Sequence, residues 1–496
     1  MKRPCKLFTQ KEMFNQRVPH VTNKISNFKR VKSLVFRLFL IVSMAGVFVP
    51  AFGNISLPEI FSDNMVLQQQ SDVTLWGWAK SGETVTVNAG WSDDNTHVRV
   101  GNQGTWKVTL KTPKAGGPYE INLKGYNEIT IKNVMIGEVW LCSGQSNMEL
   151  SSSGINNGRE EVANANYPDI RLYQVSYSSS HYPQDQCTGA WTECTSETMK
   201  NFSAIAYLFG RKLHEALKVP IGLINSSWGG TPAEAWIPED VIQNNDFLKV
   251  AAAKQKPVPW GPVEPGRIYN AMIHPLIPFR IAGTLWYQGE ANTVNAYAYQ
   301  KLLSALITSW RSNWGYDFPF YFVQIAPYKY GNNFDGVTVR DEQRRTLDVP
   351  NTGMVVISDI GDTTNIHPRD KQDVALRLAN MALNRYYKTI QVEDSGPLFK
   401  TMEIDKDKAI ISFDHAEGLH VTGKKGEKPD YFEIAGADKV FYPAEAKIKD
   451  DQVIVQSKKV KVPVAVRYAW RNTATPNLFN GAGLPASCFT TEPVGN

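Results

Sequence analysis

The sequence predicts an α/β protein: a parallel sheet with helices on its faces, with a β-sandwich module before it and a β-rich module after it. Three observations carry this reading. From Ile55 to about Lys132, short polar/apolar alternations are separated by turn residues. From about Val134, apolar strand-like runs alternate with segments of helical periodicity. After about Val392, strand patterns return with little helical periodicity. The boundaries that follow are a leader over 1–53, a β-sandwich module over 54–133, an α/β domain over 134–391 and a β-rich module over 392–496.

In the first module, DVTLWGWA, ETVTVNAGW, THVRV, TWKVTL, YEINLKG and NEITIKNV alternate every second residue, and SGE, SDDN, GNQG and AGGP lie between them. Period-two patterns with Gly-rich turns form antiparallel strands that bury one face. In the middle domain the apolar runs are VMIGEVWLC, PIGLINSSW, IAGTLWYQ, FYFVQIA and GMVVISDI. The helical segments are NFSAIAYLFGRKLHEALK, AYQKLLSALITSWRSNW and RDKQDVALRLANMALNRYY. In the first of these, Ile205, Leu208, Phe209, Leu213 and Leu217 fall on one face. Strands alternating with helices build a parallel sheet, whose chemistry sits on loops beyond the carboxyl ends of its strands. In the last module the strands are AIISF, LHVTG, YFEIAG, KVFYPAEAKIKDDQVIVQS and VAVRYAW.

The leader decides the charge. Ten Lys or Arg and one acid precede Asn54, a net +9, so the formal total of +5 leaves −4 on the rest of the chain. The basic balance therefore implies no nucleic-acid partner. Arg37 is followed by LFLIVSMAGVFVPAFG, a short apolar run interrupted by Gly46 and Pro50. A basic stretch, a short apolar run and a small-residue end describe a signal peptide rather than a membrane span. Export to the periplasm or medium is expected, without stable membrane insertion after cleavage. Four cysteines stay with the body: Cys142 reads as a buried hydrophobe, and Cys187 and Cys194 are near enough to pair after export, which spacing alone leaves open. No cysteine spacing suggests a metal site, and no pattern specifies an oligomeric state.

Ser146, in GQSNM, directly follows the run VMIGEVWLC. A serine at a strand-to-helix turn has an exposed hydroxyl and an amide near a helix start, as a nucleophile with an oxyanion donor requires. Gly229 and Gly230 follow Trp228 after PIGLINSS and permit close backbone approach to a ligand. Gln288, Glu290 and Asn292 cluster after IAGTLWY; Gln288 is a candidate oxyanion donor and Glu290 a candidate brace. His367, eight residues beyond Asp359, is the candidate general base. Its rival His274, also before a proline, sits in the more apolar NAMIHPLIPF and reads as structural. Trp228 and Trp286 suit the wall of a small acetyl pocket, or the core.

Four of these segments, GQSNM, WGGTPAEAW, WYQGEAN and NIHPRDKQDVALRLA, resemble the sialate O-acetylesterase family of SGNH hydrolases and come in that family's order. LPEIFSDNMVLQQ and RYAWRNTATPNLFNGAGLPASCF resemble it at the two ends. The resemblance implies a three-layer α/β/α SGNH-hydrolase domain carrying β-rich modules. It implies removal of acetyl esters from sialic acids or related sugars, without metal or other cofactor. Ser146 would be nucleophile and His367 general base. The oxyanion donors would be the Ser146 amide, Gly229 or Gly230, and Gln288 or Asn292.

The chain departs from the pattern at one position. Many such enzymes carry Asp three residues before the histidine, where this chain has Thr364. Asp362 is the nearest alternative, with Asp359 and Asp370 behind it, and a dyad oriented by a backbone carbonyl is the other arrangement. The same parts serve a deacetylase of acetylated xylan; a binding protein with an inert core is a third reading. An arginine at the site would favour sialate, and Arg267, Arg280, Arg340, Arg344, Arg345 and Arg369 are the candidates.

Overall fold

One strand, β1, runs from Glu128 to Gly144 and belongs to two layers of the molecule. The computed structural model describes residues 54–424 and 426–492. The signal peptide expected over 1–53 lies outside the described residues. The first half of β1 pairs antiparallel with Gly116–Lys124 and parallel with Val66–Gln68, closing the amino-terminal β layer. Its second half continues into the central sheet, so the boundary expected between 133 and 134 falls inside an unbroken strand.

The central sheet adds β2 (Asn166–Gln174), β3 (Trp191–Thr195), β4 (Ile221–Ser227), β5 (Gly283–Tyr287), β6 (Phe320–Val323) and β7 (Thr352–Val355). Their order is β7-β6-β5-β1-β4-β2-β3, and every pair is parallel except β2 with the edge strand β3. All five predicted apolar runs are strands of this sheet. The added strands β2 and β3 carry polar and charged residues such as Asn166, Asp169, Arg171 and Glu193, which dilute the apolar signal.

The sheet is covered on both faces because β1 is apolar on both. Val139 and Leu141 join one buried cluster, and Trp140 and Cys142 join the other. Helices α1 (Ala204–Leu217) and α4 (Gln372–Met381) cover the second face. Helix α2 (Tyr299–Trp314) covers the first, burying Leu302, Leu303, Leu306, Ile307 and Trp310. Helix α3 (Asp335–Arg345) was absent from the sequence reading, because its polar run DEQRR hides the buried Val337 and Val339. Two four-stranded sheets and one two-stranded sheet form the carboxyl-terminal β region among the described residues, with their own buried cluster. They dock on α3: Asn472 Oδ1 accepts from the Val337 amide at 3.1 Å, and Arg345 donates to the Thr490 carbonyl at 3.1 Å. Cys142, Cys187, Cys194 and Cys488 are all free and buried, so Cys187 and Cys194 form no disulfide. Among the described residues no helix is long and apolar enough to cross a membrane.

Glu138 clamps the two halves of β1 to what surrounds them. Its buried carboxylate accepts from Gln68 at 2.9 Å, Gln69 at 2.6 Å and Tyr387 at 2.8 Å. Tyr387 in turn accepts from Trp140 Nε1 at 2.9 Å. A buried acceptor of three donors leaves all of them unsatisfied when removed. Glu138→Leu is therefore expected to cost about 3 kcal/mol, read as a lower urea midpoint of unfolding.

Candidate active site

The ends of β1, β4 and β5 meet in one row. Gly144 pairs with Ser227 on one side and Tyr287 on the other, so the loops that follow all three strands leave the sheet together. The Gln145 amide donates to the Tyr287 carbonyl at 3.0 Å, and the Trp228 amide to the Gly144 carbonyl at 3.0 Å. Gly144 has φ +140°, and a Cβ there would lie 2.2 Å from the Tyr287 oxygen. Only glycine fits that conformation and that approach.

The chain then turns into a short helix, Ser146–Glu149, with Ser146 at its first position and half-buried. His367 Nε2 lies 2.7 Å from Ser146 Oγ, although the two residues are 221 positions apart. The loop after β4 brings Gly229 against the serine: a Cβ on Gly229 would sit 3.3 Å from Ser146 Cβ and 3.0 Å from Glu149 Oε2. The Gly229 amide has no acceptor among the described residues. Gly230, with φ +72°, lies against the Trp260 ring.

The other expected residues lie elsewhere. Gln288 spends its amide N–H groups on the Thr231 carbonyl at 3.2 Å and Asn292 Oδ1 at 2.8 Å, while Tyr299 donates to its oxygen at 2.7 Å. Asn292 donates to Glu234 at 2.8 Å and to Asn295 at 3.1 Å, and accepts from the Ala233 amide at 2.9 Å. Both are fully buried with every N–H engaged, so they frame the loop and offer no donor to a substrate. Trp286 is core, packed against Trp236 and Trp310, and does not wall the cleft. Trp228 does reach the surface, stacked on Tyr177 with ring centroids 4.6 Å apart. Asp362 does not meet His367. It is fully exposed and accepts from the Thr364 hydroxyl and amide, which hold its carboxyl below the usual range, and from the Asn365 amide. Asp359 pairs with Arg377, and Asp370 accepts from the Asp373 amide at the start of α4. His274 bonds the Gln184 carbonyl and lines a different cleft, as a structural histidine would.

What ties the histidine loop to the serine loop is a buried polar chain of which the sequence reading picked out only Glu290, as a brace. Lys371 Nζ donates to Asn147 Oδ1 at 2.9 Å and to the Pro368 carbonyl. Asn147 Nδ2 donates to Glu290 Oε1 at 2.6 Å and to the Ile366 carbonyl at 3.0 Å. Asn147 adjoins the serine, and Ile366 and Pro368 flank the histidine. Burial works against both charges in this chain, pushing the Lys371 ammonium down to about 8 and the Glu290 carboxyl up. His367 is also lowered, first by burial and then by Lys371, with Glu149 acting in the opposite sense. The sequence signal was adjacency alone: Asn147 follows Ser146 in GQSNM, and Lys371 ends HPRDK.

Residues 136–384 match the family described as carbohydrate esterase, sialic acid-specific acetylesterase. Human sialate O-acetylesterase is 33% identical over 462 residues, covering 82% of this chain and 86% of the relative. The mouse sialate O-acetylesterase is 31% identical over 478 residues, covering 83% of this chain and 88% of that one. The crystal structure of a carbohydrate acetylesterase from Xanthomonas citri aligns with a TM-score of 0.80 and 37% identity, covering 88% of this chain and 99% of that chain. With a family match over half of the chain and relatives spanning most of it, this chain belongs to the sialic acid-specific acetylesterase family of carbohydrate esterases.

Proposed function

We propose that this carbohydrate esterase removes O-acetyl groups from sugars by serine catalysis, with Ser146 as nucleophile and His367 as general base. The observation that carries the reading is the 2.7 Å contact between His367 Nε2 and Ser146 Oγ at the mouth of an open cleft of about 600 Å³. Neutral His367 takes the Ser146 proton as Oγ bonds to the acetyl carbonyl carbon. The carbonyl oxygen becomes an anion facing the amides of Ser146 and Gly229. The bond from carbon to the sugar oxygen then breaks, and His367 returns its proton to the leaving hydroxyl. Water repeats the sequence on the acetyl-serine, releasing acetate and restoring the serine.

No carboxylate among the described residues hydrogen-bonds His367, and Thr364 stands where the family pattern has Asp. We infer a dyad. In it, the Lys371–Asn147–Glu290 chain fixes the backbone on both sides of the histidine, a task that a third side chain performs elsewhere by bonding the ring. The chain is also proposed to act outside the cytoplasm, on the strength of the leader sequence alone.

Ser146→Ala and His367→Ala should each reduce acetate release from an acetylated sugar by about 10³-fold or more, with folding unchanged by circular dichroism. Asp362→Asn keeps the oxygen acceptor of its turn and should stay within about threefold of wild type in kcat/KM, the scale of an exposed substitution. A tenfold or larger loss would restore Asp362 as the third member.

The reaction requires neutral His367, whose pKa lies below the ordinary 6.5. The acid limb of the kcat/KM profile is therefore expected below pH 6.5. Lys371→Met removes a cation that favours the neutral ring, so that limb should move to higher pH. The same change releases the loop, and kcat should fall by about 10²-fold. A lower kcat with an unmoved limb would leave Lys371 a purely structural role.

A further inference from the structure

Among the described residues, the cleft in front of Ser146 and His367 is lined by one Asp, Glu, Lys or Arg side chain, and it is an acid. Glu149 lies on the same short helix as Ser146 and lines the cleft with Gln174, Tyr177 and Asn201. Its Oε1 accepts from the Tyr177 hydroxyl, and its Oε2 sits beside Gly229. Tyr177 stacks on Trp228 with the rings only 8° from parallel. Trp228 Nε1 donates to the Trp260 carbonyl at 2.8 Å, and Trp260 Nε1 to the Gly230 carbonyl at 3.4 Å. Tyr177 is 52% exposed and Trp260 59%. Tyr177 lines the cleft with Trp228 stacked on it, and an aromatic surface left in water there matches the apolar C–H face of a pyranose ring.

The arginines that would hold a sialate carboxylate are elsewhere. Arg280 lies over the Tyr316 ring in a separate cleft, and Arg340 is buried against the carboxyl-terminal β region. Arg344 and Arg345 pair with Asp341. Arg267 is absent from the lining, and Lys371 is sealed beneath the site. Arg369 does come near in the chain, but it opens with Arg159 and Lys200 into a second recess, past Ser152 and Ser153.

Resting on the reading of Ser146 as nucleophile, we propose that Glu149 makes this site selective for acetyl esters on uncharged sugar units, seated against Tyr177, over esters on a carboxylate-bearing sugar such as sialic acid. Like charges in a partly desolvated cleft repel, and no cation lines this one to offset the repulsion.

The test keeps acetyl position and sugar constant and changes only charge. Acetate release is measured from an O-acetylated sialic acid and from its carboxyl methyl ester, with wild type and Glu149→Gln, at low and at 0.5 M added salt (roughly a Debye length of 4 Å). Glutamine keeps the acceptor for Tyr177. The methyl ester should exceed the free acid by about fivefold in kcat/KM for wild type at low salt. That ratio should shrink towards one in Glu149→Gln and, in wild type, at high salt. Equal or faster hydrolysis of the free acid by wild type overturns the proposal and points to the recess of Arg159, Lys200 and Arg369 as a carboxylate subsite. An unchanged ratio in folded Glu149→Gln overturns the role of Glu149. The nucleophile reading fails separately, if Ser146→Ala still releases acetate from 4-nitrophenyl acetate.

Discussion

The arrangement depends on the register at Gly144. Because this residue pairs with Ser227 and Tyr287 in one row, three loops from segments far apart in sequence begin at the same level of the sheet. A one-residue shift of β4 would carry Gly229 away from Ser146 and invert the faces that Leu223 and Ile224 present to the two helical layers. The hydrophobic cost of that inversion holds the register, and the register holds the site. The glycine is needed at the same point, since any side chain would meet the Tyr287 carbonyl.

A parallel sheet fixes where loops start, not where they end, and His367 lies well past the end of β7. The buried chain from Lys371 through Asn147 to Glu290 supplies the missing constraint. Two opposite charges in a dry interior hold their hydrogen bonds stiffly, because breaking one leaves an ion without solvent. Hydrogen bonds to the carbonyls of Ile366 and Pro368 grip the backbone rather than the ring. The histidine can therefore stay in place although Asp362 turns into its own loop.

The fold was legible where periodicity was strong. The five apolar runs and three amphipathic helices stand out because each buries a face with uniform chemistry. Strands β2 and β3 escaped because they lie towards the sheet edge and expose polar residues, and α3 because most of the side chains it buries, Arg340 to Gln343, are polar. At the candidate site, the meeting of Ser146 and His367 was legible from their place after strands. The Gln288 amide was read as a donor to a substrate because sequence shows a polar cluster but not which way its N–H groups point, and Asn292 came in as a donor only through the family resemblance. Trp286 was open to either reading for the same reason, and burial decides it. Lys371 and Asn147 gave no signal beyond adjacency to Ser146 and His367, since a buried lysine is recognisable only once its partners are placed.

Two charges then act on the base from opposite sides. Lys371, beneath the site, favours the neutral imidazole that begins the proposed reaction. Glu149, in the cleft, favours the imidazolium that forms as the serine attacks. A carboxylate bonded to the ring would combine orientation with charge stabilisation in one residue. In the proposed dyad the two tasks are separable: the buried chain orients the loop, and Glu149 supplies field without contact. Field falls off with distance and salt, whereas a buried hydrogen bond does not. In the proposed dyad the basicity of His367 is accordingly coupled to whatever fills the cleft. A neutral sugar that displaced water around Glu149 would strengthen its hold on the imidazolium with the substrate in place.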